Sequence, residues 1–353
     1  MRKAVTFKEP DTVPVGPYLA NCTARVANMP VSSYCTSGRK MAEAQLAAWE
    51  RYQQDIIFPD CDNYYLAEGF GCRTHIPEDD VPSLVQPPLE EPEEVFDLKV
   101  PNPESDGRMP VFLEAIEIVA SQVGQEVAIR VPGTGPFALA SYLIGTERFL
   151  REVARVEYSL PGAQPQAVHR MLELATEAVI AFGKAELRAG AHIVQCGDSL
   201  ASLDMISPTM YEKYAFPYQK RVFATWKEAG AITVLHICGD NTHVLELYAQ
   251  TGADIVAIDA KVNLGLAKRK IGSKVCLIGN MDPVQTLLFG SVEDVEKEVR
   301  QCISIAGPGG GFILGSGCEV PIDTPPQNIE AMVRVAREYE YPLSVKPSRR
   351  FEE

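Results

Sequence analysis

The residues best suited to chemistry in this chain are His236 and Cys238, in VLHICGD, and Cys318, in LGSGCEVP. On a strand, successive side chains point to opposite faces, so residues two apart project together. Read that way, His236 and Cys238 are roughly 7 Å apart along the chain, at about 3.3 Å per residue. A metal ion that takes an imidazole nitrogen at about 2.0–2.1 Å and a thiolate at about 2.3 Å bridges such a gap. Cys318 closes a second apolar run, GFILGSGC, and supplies a third N/S donor. Three such ligands with an open fourth position mark a catalytic zinc rather than a structural one. The bland alternative makes His236 a satisfied core histidine and both cysteines packing groups. The residues by themselves leave both readings open.

Those side chains need a scaffold that gathers distant strand ends. Apolar runs rich in β-branched residues recur at 191–197, 231–238, 254–259, 274–279 and 311–317, each ending in or running into Gly, Asp or Asn. Short continuous runs of this kind suit strands buried on both faces of a parallel sheet. Between them lie helical patterns: 209–230, opened by Ser207-Pro208; 243–252; 265–272; 291–307, with Ser291 and Asp294 in capping-box spacing; and 324–340, with Thr324 and Gln327 in the same spacing. The first half adds DIIFPD and EVAIRVPG as strands, YLAEGF (65–70) as a weak further strand, and helices over 38–54, 110–124, 137–156 and 165–190. Alternating β and α units without a Gly-x-Gly-x-x-Gly fingerprint predict an α/β fold, a closed (β/α)8 TIM barrel. It is expected to span 1–353 as a single domain, with an N-terminal extension and an acidic, proline-rich excursion at 77–110. The polar tail after Lys346 is expected to be frayed.

Composition bounds the function. The chain has 353 residues, 46% hydrophobic and 23% charged, as in a soluble globular enzyme. A net charge of −14 leaves no basic surface to neutralise phosphates and excludes nucleic acid as the expected partner. No signal-like or membrane-spanning run is apparent, so a cytoplasmic location is expected. Nine irregularly spaced cysteines fit a reducing compartment, where most are small buried hydrophobes.

Barrel enzymes gather their active sites at the carboxyl ends of the strands. Polar residues recur there: Asp60, Asp198, Asp259, Asn280, Asp282 and Glu319 join the His/Cys set. Asp198 is a candidate catalytic group that orients a ligand or substrate, or else a cap for the next loop. Asn280 is a candidate for substrate binding, or with Asp282 a shaper of the turn. Glu319, a second catalytic candidate, and Glu68, a candidate for substrate binding, are each placed to supply a displaceable fourth metal ligand. Arg130, ahead of PGTGP, suits an anionic substrate group such as a sulfonate or carboxylate, or one half of a structural ion pair.

LHICGD, IGNMDPVQTL and GSGCEVPIDTPPQNIEAMV resemble the uroporphyrinogen decarboxylase superfamily, and within it the corrinoid-dependent methyltransferase branch, of methylcobamide:coenzyme M methyltransferase type. GDSLASLDMISPTMYEKYAFPYQKRV and YYLAEGFGC share the likeness. The resemblance implies a (β/α)8 barrel and zinc held by His236, Cys238 and Cys318. It implies a small thiol activated there as a thiolate, and a methyl group delivered by methylcobalamin on a separate corrinoid protein. A demethylase that loads the corrinoid protein from a methoxy, methylamine or methylthiol donor would use the same residues. Uroporphyrinogen decarboxylase itself is a weaker fit: it is expected to hold a polyacid with an arginine-rich N-terminal motif, where this chain has Arg25 alone. A non-catalytic corrinoid-protein-binding barrel would instead carry a closed, four-ligand zinc.

Overall fold

Seven apolar runs become parallel strands in the computed structural model, which describes residues 1–341 and the backbone of 344–345. They are β1 (Ile56–Ile57), β2 (Ala128–Ile129), β3 (Ile193–Gly197), β4 (Ile232–His236), β5 (Ile255–Ala257), β6 (Cys276–Met281) and β7 (Phe312–Ser316). β3 to β7 pair in chain order, β1 pairs with β2, and Arg130 bridges to Ile193 at the start of β3. The eighth stave is the segment 13–16. Leu314 donates to the Pro14 carbonyl and Gly16 to the Leu314 carbonyl, both at 2.8 Å, and Asp55 donates to the Val15 carbonyl at 2.7 Å. The ring therefore closes as a (β/α)8 barrel. The tail after Lys346 lies outside the described residues.

Three local expectations need correction. YLAEGF is not a strand but a helical turn, Tyr65–Gly69, started by Asp62, whose carboxylate accepts the Tyr64 N–H at 2.7 Å. The pattern over 209–230 is two helices, Pro208–Tyr214 and Phe216–Glu228, and Pro217 sits in the first turn of the second, where its missing N–H costs nothing. The Thr324–Gln327 box does not form: the helix Pro326–Ala336 is preceded by Pro325, and the Thr324 hydroxyl is buried without a partner. The Ser291–Asp294 box forms in both directions. Segment 77–110 carries the second strand of a hairpin, Arg73–His75 with Ser83–Gln86, and a 3-10 turn, Pro92–Asp97, anchored by buried Pro92 and Val95. No helix among the described residues is long and apolar enough to cross a membrane.

The two-residue period of the staves layers the barrel interior. Ile56, Ile193, Val234, Ile255, Cys276, Ile278 and Ile313 form an apolar floor, plugged from below by Ala4 of the N-terminal helix Arg2–Val5. Two residues further along the same faces stand Gln195 above Ile193, His236 above Val234 and Arg130 above Ala128. All three are buried. The opposite faces, including Val194, Leu235, Val256 and Leu277, pack beneath the helices.

Asp198, just past β3, is fully buried and holds this arrangement together. It accepts from the Ala138 N–H at 2.7 Å, the Phe137 N–H at 3.3 Å and the Gln219 amide at 2.8 Å. Its own N–H donates to the His236 carbonyl at 2.9 Å. The carboxylate thus satisfies the orphan donors at the start of the helix Pro136–Ile144, whose nine residues are all buried. A carboxylate so engaged caps the start of that helix. Asp198→Ala is expected to lower stability by about 2–4 kcal/mol, because it leaves buried donors unpaired. Urea denaturation of purified protein reads the loss; a change below about 1 kcal/mol would exclude the capping role.

Candidate metal centre

β4 ends at His236, so Cys238 lies in the loop beyond it rather than on the strand. The two side chains still converge. Cys238 Sγ is 3.2 Å from His236 Nε2 and 3.6 Å from Cys318 Sγ, and Cys318 Sγ is 3.8 Å from the same Nε2. A tetrahedral centre with zinc–sulfur bonds of about 2.3 Å and zinc–nitrogen bonds of about 2.0–2.1 Å sets its donors roughly 3.5–3.8 Å apart. The three side chains already stand near that spacing, and their donor set suits zinc. Among the described residues they are the group of His, Cys, Asp or Glu side chains able to share one ion. The other seven cysteines are buried; Cys238 and Cys318 are partly open.

The loop after β4 is built to present Cys238. Gly239 takes φ +95°, and an added Cβ there would lie 2.5 Å from Ser202 Oγ and 2.6 Å from an Asp204 oxygen. Its N–H donates to Asp259 at 2.8 Å. The Asn241 amide donates to the carbonyls of Ile237, Cys238 and Gly239 at 3.0–3.1 Å. Ser199 Oγ stands 3.4 Å from Cys238 Sγ. Asn241 and Ser199 were not singled out in the sequence; a Gly-Asp-Asn string after H-x-C is a turn signal, but it does not say which carbonyls the amide will reach. On the far side, Asn21 donates to Glu319 from its side chain at 2.9 Å and its backbone at 3.2 Å, fixing the segment that bears Cys318.

Electrostatics favour one negative charge on the thiol pair. Cys238 is pulled down to about 3, first by the hydrogen bond from Cys318 and then by His236. Cys318 is pushed up because it donates to that thiolate and is buried beside it. Burial opposes a charge on His236, but the Cys238 thiolate outweighs it and raises the imidazole.

The remaining candidates fall in different places. Glu319 stands outside the three-residue group, held by Asn21, and burial pushes its carboxyl up to about 7. Glu68 is also outside it, paired with Arg108 at 2.8 Å, which bonds Asp62 at 2.7 Å. The Asn280 amide donates to the carbonyls of Val262 at 2.8 Å and Asp259 at 3.1 Å, and Asp282 accepts from the Val284 and Gln285 N–H groups. Arg130 forms no ion pair among the described residues; it donates to Gln195 and lies over the rings of Phe58 and Tyr18. Tyr18 in turn packs edge-on to His236, with ring centroids 6.4 Å apart, and donates to Asp60 at 2.6 Å. Gly239→Ala is expected to destabilise the protein by about 1–3 kcal/mol through its positive φ and the contacts with Ser202 and Asp204. Chemical denaturation checks this; an unchanged midpoint would show that the loop relaxes freely.

Comparisons with known proteins bear on the family and the fold. The chain is 32% identical over 276 residues to the methylcobamide:CoM methyltransferase MtbA of Methanosarcina acetivorans, covering 78% of this chain and 77% of the relative. It is also 32% identical over 287 residues to the uroporphyrinogen decarboxylase of Carboxydothermus hydrogenoformans, covering 80% and 76%. A solved methyltransferase from Methanosarcina mazei superposes with a TM-score of 0.85 at 27% identity, over 95% of this chain and 96% of that one. The profile of the family described as Uroporphyrinogen decarboxylase (URO-D) matches residues 1–339. The chain therefore belongs to the URO-D family, and its likenesses fit the corrinoid methyltransferase branch of it.

Proposed function

We propose that this protein transfers a methyl group between a corrinoid, presented by a separate corrinoid protein, and a small thiol, and that His236, Cys238 and Cys318 hold the zinc that makes the thiol reactive. The observation that carries the reading is the convergence of one imidazole and two partly open thiols at the C-terminal mouth of the barrel, with Asp198, Glu319 and Glu68 outside the group. A uroporphyrinogen decarboxylase has no use for such a set. Zinc bound there would hold an incoming thiol as its thiolate, the nucleophilic form.

The chain's own residues do the rest. Asn241, Asp259 and Gly239 fix the Cys238 loop, and Asn21 and Glu319 fix the segment beyond β7, so the donors are preorganised. The apolar floor beneath excludes water from below. In the transfer, the substrate sulfur forms a bond to the methyl carbon as the carbon–cobalt bond breaks. The electron pair stays on cobalt, which leaves as cobalt(I), and the thiol proton passes to solvent. Run backwards, the same step would load cobalt(I) from a methylated thiol. The whole chain is proposed to act as one barrel domain in the reducing cytoplasm, where its nine free cysteines stay reduced.

Freshly purified protein is expected to contain about one zinc per chain, the stoichiometry of a single three-ligand site. Cys238→Ala and Cys318→Ala should each lose most of it. Cys276→Ala, in the floor, should keep it. Elemental analysis decides the matter, and full zinc in both ligand variants would remove the site. Because a barrel core of this size supplies its own stability, chelated protein should keep its far-ultraviolet circular dichroism and a cooperative melt. The activity test is anaerobic incubation with methylcobalamin and a panel of thiols and amines. Thioether formation is expected; transfer to an amine alone would overturn the thiol assignment.

A further inference from the structure

A cavity of about 250 Å³ opens between the loop after β7, the helix Cys22–Val26 and the end of the helix Gly38–Tyr52. None of the three metal-centre residues lines it. Its walls carry donors that the fold leaves idle. Thr324 is 6% exposed, and its hydroxyl is buried without a partner. Tyr52 is 4% exposed, and its hydroxyl makes no hydrogen bond among the described residues. Burial pushes Tyr52 up to about 12, so it keeps its proton and remains a donor. Buried hydroxyls are ordinarily hydrogen-bonded, and two unused ones in one small cavity call for an acceptor.

Cations border the same space. Arg25 bonds Asp79 at 3.1 Å and Asp323 at 3.4 Å. Arg51 bonds Glu330 at 2.8 Å, and its Cζ lies 5.5 Å from the centre of the Tyr52 ring. A guanidinium has five N–H donors, so most of these stay free. Both arginines are half-exposed, and ion pairs so open to water contribute little. Asp323 also borders the cavity, but its side chain is mostly exposed and competes weakly with an incoming anion. The helix Pro326–Ala336 starts at this wall. Pro326 fills its first position, no side chain caps it, and its first turn holds no acidic residue. The positive end of its dipole therefore stands at the cavity unanswered.

We infer that this cavity is an oxyanion site: it takes a phosphate, free or as the phosphoryl group of a larger molecule, on the Thr324 and Tyr52 hydroxyls and the Arg25 and Arg51 guanidiniums. A tetrahedral anion suits it better than a planar carboxylate, because the four donors come from three separate segments and meet the ligand from several sides. The anion accepts from both idle hydroxyls. It also ties the loop that runs on from Cys318 to the two N-terminal helices. The site stands independently of the methyltransfer reading.

The test is calorimetric titration of inorganic phosphate into the full-length protein, with ionic strength held constant by sodium chloride. The wild type is expected to bind phosphate saturably, and equally well with and without zinc. Thr324→Val and Tyr52→Phe each remove a hydroxyl with little change of shape. Each should weaken binding roughly tenfold, the range of one hydrogen bond to a charged group. Arg25→Gln combined with Arg51→Gln should abolish binding. Arg39→Gln, on the same helix as Tyr52 but outside the cavity, should leave it unchanged. Without phosphate, Thr324→Val should melt no lower than the wild type, because valine removes a hydroxyl that lacks a partner. With phosphate, the wild type should gain melting temperature and Thr324→Val should gain far less. Circular dichroism checks that each variant is folded; if the double arginine variant is not, the two hydroxyl variants carry the comparison. Glycerol 3-phosphate, titrated in parallel, separates the sources. Affinity more than tenfold above that of the free ion assigns the site to the phosphoryl group of a larger molecule, and any lower affinity assigns it to inorganic phosphate. No saturable binding of either compound, binding that requires zinc, or phosphate affinity unchanged in Thr324→Val and Tyr52→Phe would overturn the inference.

Discussion

The hydrogen bonds that join Leu314 to Pro14 and Gly16 close the barrel, and the site exists because they do. Closure places the chain's first stave beside its last. Tyr18 then meets Ser316, its N–H donating to the hydroxyl at 2.9 Å, and Asn21 meets Glu319. The segment bearing Cys318 is thereby clamped against the N-terminal strand end. On the other side, the ladder from β4 through β5 and β6 to β7 fixes how far Cys318 stands from Cys238. A sulfur–sulfur distance of 3.6 Å between residues so far apart in sequence is a consequence of ring closure, not of local chain geometry.

Inside the ring, polarity changes in one step of the strand period. The floor is aliphatic and is sealed by Ala4; the next inward residues are Arg130, Gln195 and His236. Buried polar groups persist only when hydrogen-bonded or paired, and most in this protein are. Asp198, Asn241, Asp259 and Asn280 are engaged with backbone donors or carbonyls. These groups hold loops at the strand ends and leave little chemistry free. His236 and Arg130 differ, because each retains a buried nitrogen without a partner. Unpartnered buried polar atoms are costly.

The same contrast separates two of the protein's guanidiniums. Arg108 is locked by two carboxylates and braces the loop between β1 and the Tyr65–Gly69 turn. Arg130 is held in place by aromatic faces that position it without neutralising it. A guanidinium confined in this way loses little freedom on meeting an anion, which is the physical meaning of preorganisation. The acidic surface, with a net charge of −14, makes a buried cation a local exception within a repelling field.

Much of this was legible in the sequence because it depends on local rules. Apolar runs of strand length, helix caps such as Ser291–Asp294, and the H-x-C spacing follow from chain periodicity and hydrogen-bond chemistry within a few residues. They were enough to specify an α/β barrel and to nominate His236, Cys238 and Cys318. The eighth stave was not legible: the segment 13–16 is too short to carry a periodic signal and is a strand only because Leu314 lies beside it. Nor could the sequence say that Cys238 leaves the strand, that the carboxylate of Asp198 caps a helix 60 residues away, or that Asn280 bonds to carbonyls. Arg130 illustrates the limit most clearly. Its residue type and its place at a strand end allowed either an ion pair or an anion site, and only the closed ring decides which charges stand within reach. Partner choice for a buried polar group is set by contacts across the fold, where desolvation makes each one matter, and sequence neighbours carry no record of them.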